Sequence, residues 1–277
     1  MPAIDRSRLK IQAARLAGKF AEPEAFLHDL NEVLDFYTNR TIRATQVAQR
    51  LSAPTYHTPP PVLRQIEREL APLAENQPNE AANLTKVLWG ADSLEARLLA
   101  AFLLGNIPSD QAMPTLSLLP AWLNQPIDKE IRTALLTTAL TRLRQEEPGV
   151  FFVILEGWLG SPEPAKQVWG LQALIPLFQD PHFENLPAVF RILRPAIKAA
   201  GPATQLDLQA CLTALERVSL IETIAFLRGI IWTNPTPMML RIFRRILPNL
   251  SQDLQGALRE TLREQNNLAS PPAASIQ

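Results

Sequence analysis

The placement of proline constrains this chain more than any other feature. Proline fixes φ and lacks an N–H, so it is excluded from central strands and most helix interiors but is accommodated in a helix's first turn. The 277-residue chain holds 25 Pro against 10 Gly, so the positions of the prolines decide whether it is loop-rich or punctuated. Pro126, Pro148, Pro162, Pro181, Pro202 and Pro235 each follow a polar residue or Gly and precede an apolar helical pattern. Alternate starts, at 126, 162, 202 and 235, lie 36, 40 and 33 residues apart. A recurring two-helix unit of that size predicts an all-α fold, a HEAT/armadillo-like α-solenoid of about six helix pairs.

The apolar period agrees. In "VLWGADSLEARLLAAFLLGNI", residues 87–107, Leu94, Leu98, Ala101, Phe102 and Gly105 fall on one helical stripe. Asp92 with Glu95, and Ser219 with Glu222, stand where capping boxes would open two helices. "SAPTYHTPPP", residues 52–61, reads as an extended connector, because three successive prolines disfavour any other backbone. No composition shift marks an internal boundary, so residues 4–265 read as a single repeat domain and 266–277 as a disordered tail.

The totals exclude several classes of function. The 27 basic and 27 acidic side chains cancel, so net charge argues for no polyanionic partner. Cys211 is the sole cysteine, which rules out an internal disulfide and a cysteine-based metal site, and it reads as a small core residue. His28, His57 and His182 are far apart and lack ligand spacing, and no Gly-rich phosphate loop or nucleophile elbow is present. No cofactor is expected. The charged start "MPAIDRSRLKIQ" carries no apolar signal region, and "SLIETIAFLRGIIW", residues 219–232, is too short and too charged to span a bilayer. These features predict a cytoplasmic protein without membrane contact, and a monomer.

Two stretches resemble the HEAT-like DNA alkylation repair (AlkD-like) family: "YHTPPPVLRQIERELAPL", residues 56–73, and "LWGADSLEARLLAAFLL", residues 88–104. The second is similar to that family's pattern of Leu-Trp, a short gap, Glu-x-Arg and an apolar helix. "WLGSPEPAKQVWGLQALIPL", residues 158–177, has the look of a following repeat, and the resemblance covers roughly residues 4–265. It implies excision of cationic alkylated bases, with an Asp supporting the positive sugar and Trp and Arg side chains holding DNA and lesion. A carboxylate suits developing oxocarbenium charge, and an aromatic face attracts a cationic base. The chain departs from the family's pattern where the chemistry would lie. In place of a Trp-Trp-Asp run stands "LPAWLNQPIDKEIR", with a single Trp122 and with Asp128 six residues on. Lys166 and Trp169 stand where a helical Arg is expected, and Ala214 where a further Trp is expected.

The candidates then have two readings each. Asp128 is either the catalytic carboxylate or, with Glu130, an acid favoured by a helix N-terminus. Trp122, Trp158 and Trp169 either line a binding groove or pack in the core, whereas Trp89 reads as core. Charge is segregated: residues 1–64 carry +3, residues 65–185 carry −7 and residues 186–277 carry +4. Arg241, Arg244 and Arg245 share one helix face, and Arg191, Arg194 and Lys198 form a similar stripe earlier, together a potential phosphate track. The first expectation is a non-catalytic solenoid binding an extended partner, most specifically duplex DNA. The others are an active alkylbase glycosylase using Asp128 and Trp122, and a protein- or peptide-binding scaffold.

Overall fold

The computed structural model describes residues 5–38, 53–233 and 235–269. Among these every regular element is helical and no strand occurs. The chain divides into two compact units, residues 1–148 and 149–277.

In the first unit run α1 (Arg6–Ala17), α2 (Pro23–Phe36), α3 (Pro60–Asn76), α4 (Pro78–Gly90), α5 (Leu94–Leu104), α6 (Ser109–Leu116), α7 (Leu119–Leu123), α8 (Lys129–Thr137) and α9 (Thr141–Glu146). Contacts skip one helix at a time: α1 packs on α3, α3 on α5 and α5 on α8, while α2 packs on α4 and α4 on α6. Two rows result, joined where α3 meets α4 and α4 meets α5. On α3 the buried residues are Val62, Ile66, Leu70 and Ala74, one every fourth position, so a single stripe faces the core.

The second unit contains α10 (Pro148–Leu159), α11 (Pro164–Leu174), a 3-10 turn at Ile175–Gln179, α12 (Leu186–Lys198), α13 (Gln205–Val218), α14 (Leu220–Trp232), α15 (Pro237–Ile246), a 3-10 turn at Leu247–Asn249, and α16 (Gln252–Ala269). The same alternation recurs. The helices α11, α13 and α15 pack in one row, and α12, α14 and α16 in the other.

Proline works as the sequence implies, with a spread in position. Pro148 opens α10 itself, whereas Pro126, Pro162, Pro202 and Pro235 stand two or three residues ahead of α8, α11, α13 and α15. Pro181 lies five residues before α12, whose first turn holds Pro187 instead. Pro72, Pro114 and Pro195 lie inside helices, each on an exposed side where water can take up the carbonyl a proline leaves unpaired.

Three local expectations change. The N-cap of α5 is Ser93, not Asp92: its hydroxyl accepts the Ala96 N–H at 3.3 Å, and Glu95 turns away from the cap. Burial runs around most of α5 rather than along the one stripe, because α3, α4, α6 and α8 all touch it. The last helix continues to Ala269, four residues into the expected tail; the remainder of that tail, like Ser52 of the connector, lies outside the described residues. The Ser219 cap of α14 is as expected, accepting from the Glu222 N–H at 3.4 Å.

Candidate functional site

Asp128 is the N-cap residue of α8, but its side chain does not cap that helix. Its Oδ2 instead accepts the backbone N–H of Ala53 at 3.1 Å, fixing the start of the connector at residues 53–59. A second carboxylate holds the same connector further on. Glu95, only 2% exposed, accepts through Oε1 from the Thr55 hydroxyl at 2.9 Å and from the Thr58 N–H at 3.3 Å. Between these bonds Pro54 accepts the Leu94 N–H at 2.9 Å, and His57 takes a positive φ of 51°. An irregular segment this close to a core has backbone donors to satisfy, and Glu95 and Asp128 satisfy them.

The aromatic candidate beside Asp128 is also engaged. Trp122 is buried and stacks on Trp89, with ring centroids 4.5 Å apart and planes 15° from parallel. The Arg97 guanidinium lies 5.5 Å from the Trp89 centroid while its Nε donates to the Ala91 carbonyl at 3.2 Å. Trp89, Glu95 and Arg97, the polar and aromatic residues of the Leu-Trp and Glu-x-Arg stretch, thus each hold the fold together.

In the second unit Trp158 and Trp169 meet edge to face at 5.9 Å, and both are buried. Lys166 pairs with Glu163 at 2.6 Å on its own helix turn. Neither tryptophan offers an open face.

The two basic stripes differ in what surrounds them. On α12, Arg191 is ion-paired to Glu156 of α10, which raises its already high pKa. Arg194 lies 5.7 Å from the centroid of Phe226, a ring that stacks on Phe190 at 4.3 Å. Lys198, half-buried, closes that helix. One helix further along the row, Arg228 of α14 donates to Glu260 at 2.9 Å and to the Thr261 hydroxyl at 3.2 Å. Arg191, Arg194 and Arg228 are therefore cross-ties between helices.

The α15 stripe is arranged otherwise. Met239, Ile242, Phe243 and Ile246 are buried, leaving Arg241, Arg244 and Arg245 exposed on the opposite side of a helix that has no acidic residue. The neighbouring helix of the row, α13, carries two carboxylates, and both are engaged by neutral groups. Asp207 accepts from the Gln172 amide at 2.6 Å, and Glu216 from the Ser251 hydroxyl at 2.8 Å. Among the described residues, Arg241 and Arg245, with Arg217 of α13, have no carboxylate partner. The helices that carry the two stripes, α12 and α15, belong to different rows.

Sequence reasoning passed over two exposed apolar side chains. Trp232, the last residue of α14, is 45% exposed, and Met238, in the first turn of α15, is 44% exposed. A helical wheel contains the signal for the first, because Trp232 lies one turn beyond Arg228, away from the buried Phe226, Leu227, Ile230 and Ile231.

Cys211 is fully buried, and desolvation together with the nearby Asp207 charge pushes its thiol up to about 12. It is expected to resist a water-soluble disulfide reagent at pH 8 in native buffer and to react fully in denaturant; prompt native labelling would mean that α13 opens readily. Among the described residues no group of His, Cys, Asp and Glu could hold a metal ion, and no helix is long and apolar enough to cross a membrane. No family model, no curated protein and no solved structure matches the chain.

Proposed function

We propose that this chain is a non-catalytic binding protein, a HEAT/armadillo-like solenoid resembling the DNA alkylation repair proteins, whose partner is an extended polyanion, with duplex DNA the most specific form. The observation that carries this reading is the α15 face, where Arg241 and Arg245 stand exposed on a helix without acids, next in the row to a helix whose carboxylates are engaged by neutral groups. Guanidinium groups one helical turn apart suit successive phosphates, which they can grip in bidentate fashion. The alternating packing of helices in each unit supports the solenoid.

Base excision is less well supported. It needs a carboxylate and an aromatic face both free to meet the lesion, whereas Asp128 binds the Ala53 N–H and Trp122 lies against Trp89. The α12 stripe, tied to Glu156 and Phe226, contributes to binding less than α15 does.

The test is fluorescence anisotropy with a short labelled duplex across a salt series. Reversing charge in the pair Arg241→Glu and Arg245→Glu should weaken binding and reduce the salt slope by about 0.9 for each phosphate the chain no longer neutralises. An unchanged slope would remove α15 from the interface, and no binding at low salt would leave the protein-scaffold reading in its place.

A further inference from the structure

Within the first unit, α1 and α2 enclose a cleft of about 220 Å³. Its α1 wall is Gln12, Arg15 and Leu16, and its α2 wall is Asp29, Glu32, Val33 and Phe36. The α2 set falls at steps of three, four and seven residues, one helix face, so charged and apolar groups meet the cleft together.

Asp29 is the residue that a plain helix pair would not need. It stands among the buried residues of α2, with Phe26, Leu30, Val33 and Leu34, where an apolar side chain would seal the hairpin. Its side chain is only 8% exposed, and a carboxylate so placed is costly unless it is paired. Lys19 Nζ lies 2.8 Å from its Oδ2, and Arg15 lies 3.4 Å from the same oxygen. The bond from Lys19 holds the carboxyl below the ordinary carboxylate range despite desolvation, so Asp29 is charged at neutral pH. Both cations meet Oδ2, and Oδ1 has no partner among the described residues.

The other polar groups of the cleft are also only half engaged. Gln12 accepts the Tyr37 hydroxyl at 2.7 Å through Oε1, which leaves its amide N–H groups available. Arg15 and Glu32 keep most of their side chains exposed, and Glu32 faces only His28 of its own helix. Phe36 is half exposed and is steadied by the Arg8 guanidinium, 4.1 Å from its centroid.

We infer that this cleft is a binding site for a free α-amino acid with an apolar side chain. The ligand's carboxylate meets Arg15 and the Gln12 amide, its ammonium meets Asp29 Oδ1 and Glu32, and its side chain lies against Val33 and Phe36. The balance of charge selects this class. A simple anion would be repelled by Asp29 and Glu32, and a simple cation by Arg15 and Lys19. A ligand carrying both charges on one carbon gains a charge-assisted hydrogen bond from each wall, whereas a peptide terminus brings only one charge. Size agrees: the cleft is smaller than the roughly 300 Å³ at which pockets for drug-sized ligands begin, and has room for about seven waters. The inference goes beyond the α15 reading and does not depend on it.

The probe is L-leucine, titrated into the isotope-labelled full chain and followed by amide chemical shifts. Shifts should centre on residues 12–16 and 29–36. Isocaproate, which lacks the ammonium, and isoamylamine, which lacks the carboxylate, should each bind about tenfold more weakly or worse. Arg15→Gln and Glu32→Gln should each lower leucine affinity about tenfold. Both side chains are exposed, so a parallel melt should give the wild-type melting temperature. Absence of any shift with leucine up to about 10 mM, enough to populate even a millimolar site, would overturn the inference. Isocaproate or isoamylamine binding as tightly as leucine would overturn it as well, since one charge would then suffice. Unchanged leucine affinity in both variants would do the same by placing the amino acid elsewhere.

Discussion

Gly105→Ala is expected to be among the most damaging single changes in the first unit, costing about 3 kcal/mol or more. A Cβ built on Gly105 would lie 2.0 Å from the Thr138 carbonyl oxygen and 2.9 Å from its carbon, and both are backbone atoms. Where a new methyl group meets only the tip of a flexible side chain, a rotamer change relieves it. Here the α8–α9 corner itself would have to retreat. That corner is already committed, because the Ala139 N–H bonds to the Ala134 carbonyl and the Thr141 N–H to that of Thr138. The α5–α8 packing would open, and with it the row that joins α3, α5 and α8. Urea unfolding reports the outcome. A midpoint within error of wild type would show that the Thr138 carbonyl does not approach Gly105 this closely. The effect comes from lack of space and not from backbone conformation, since Gly105 is in the right-handed helical region with φ −74°.

Trp89→Ala should cost about 3 to 5 kcal/mol, the range for truncating a large buried aromatic. Three contributions go together: the apolar area of the ring, its stack on Trp122 and the Arg97 guanidinium beside it. Trp89→Phe, which keeps an aromatic face but less area, should lose less than half as much. The same melts can be followed by near-ultraviolet circular dichroism, where two indoles stacked at 4.5 Å should give a strong signal that either variant abolishes. A small loss of stability with the signal gone would mean that the stack forms without supporting the fold. If duplex affinity survives in Trp89→Ala under conditions where the chain is folded, the Leu-Trp stretch is confirmed as structural.

The helical class was legible because proline and the apolar period act locally. Pro148 and Pro164 each open a helix in their own first turn, and Val62, Ile66, Leu70 and Ala74 keep one stripe buried along α3. Ser219 caps α14 for the same local reason. Asp92 and Ser93 are adjacent and both can cap, and only the path of the connector decides between them: once Glu95 is drawn to Thr55 and Thr58, the reciprocal half of the box is gone and Ser93 caps alone. The division after Pro148 had no announcement in composition, since helical pattern continues on both sides.

The candidate site was legible in part, for a related reason. Periodicity tells which residues share a helix face but not what that face meets. Arg191, Arg194 and Lys198 on α12 and Arg241, Arg244 and Arg245 on α15 are alike as sequence. In the structure Arg191 and Arg194 come within reach of Glu156 and Phe226, whereas the carboxylates of α13, next to Arg241 and Arg245 in their row, are engaged by neutral groups. Asp128 shows the same limit: its partner, Ala53, lies 75 residues away in a stretch with no period to read.

That separation sets Asp128, together with Arg142, apart in another respect. Several side-chain ties close loops of similar size: 40 residues for Thr55–Glu95, 37 for Ser109–Glu146, 35 for Gln172–Asp207 and 32 for Arg228–Glu260. Each can form as soon as two or three consecutive helices exist, so a chain emerging slowly from its N-terminus can secure one tie after another. The Glu75–Arg142 ion pair, 67 residues apart, and the Ala53–Asp128 bond, 75 apart, must wait until about twice that length has been made. Under a pulling force applied to the first unit the order reverses in consequence: the shorter closures give way one by one, and the two long ones, Glu75–Arg142 and Ala53–Asp128, are where rupture of neighbouring helices becomes coupled.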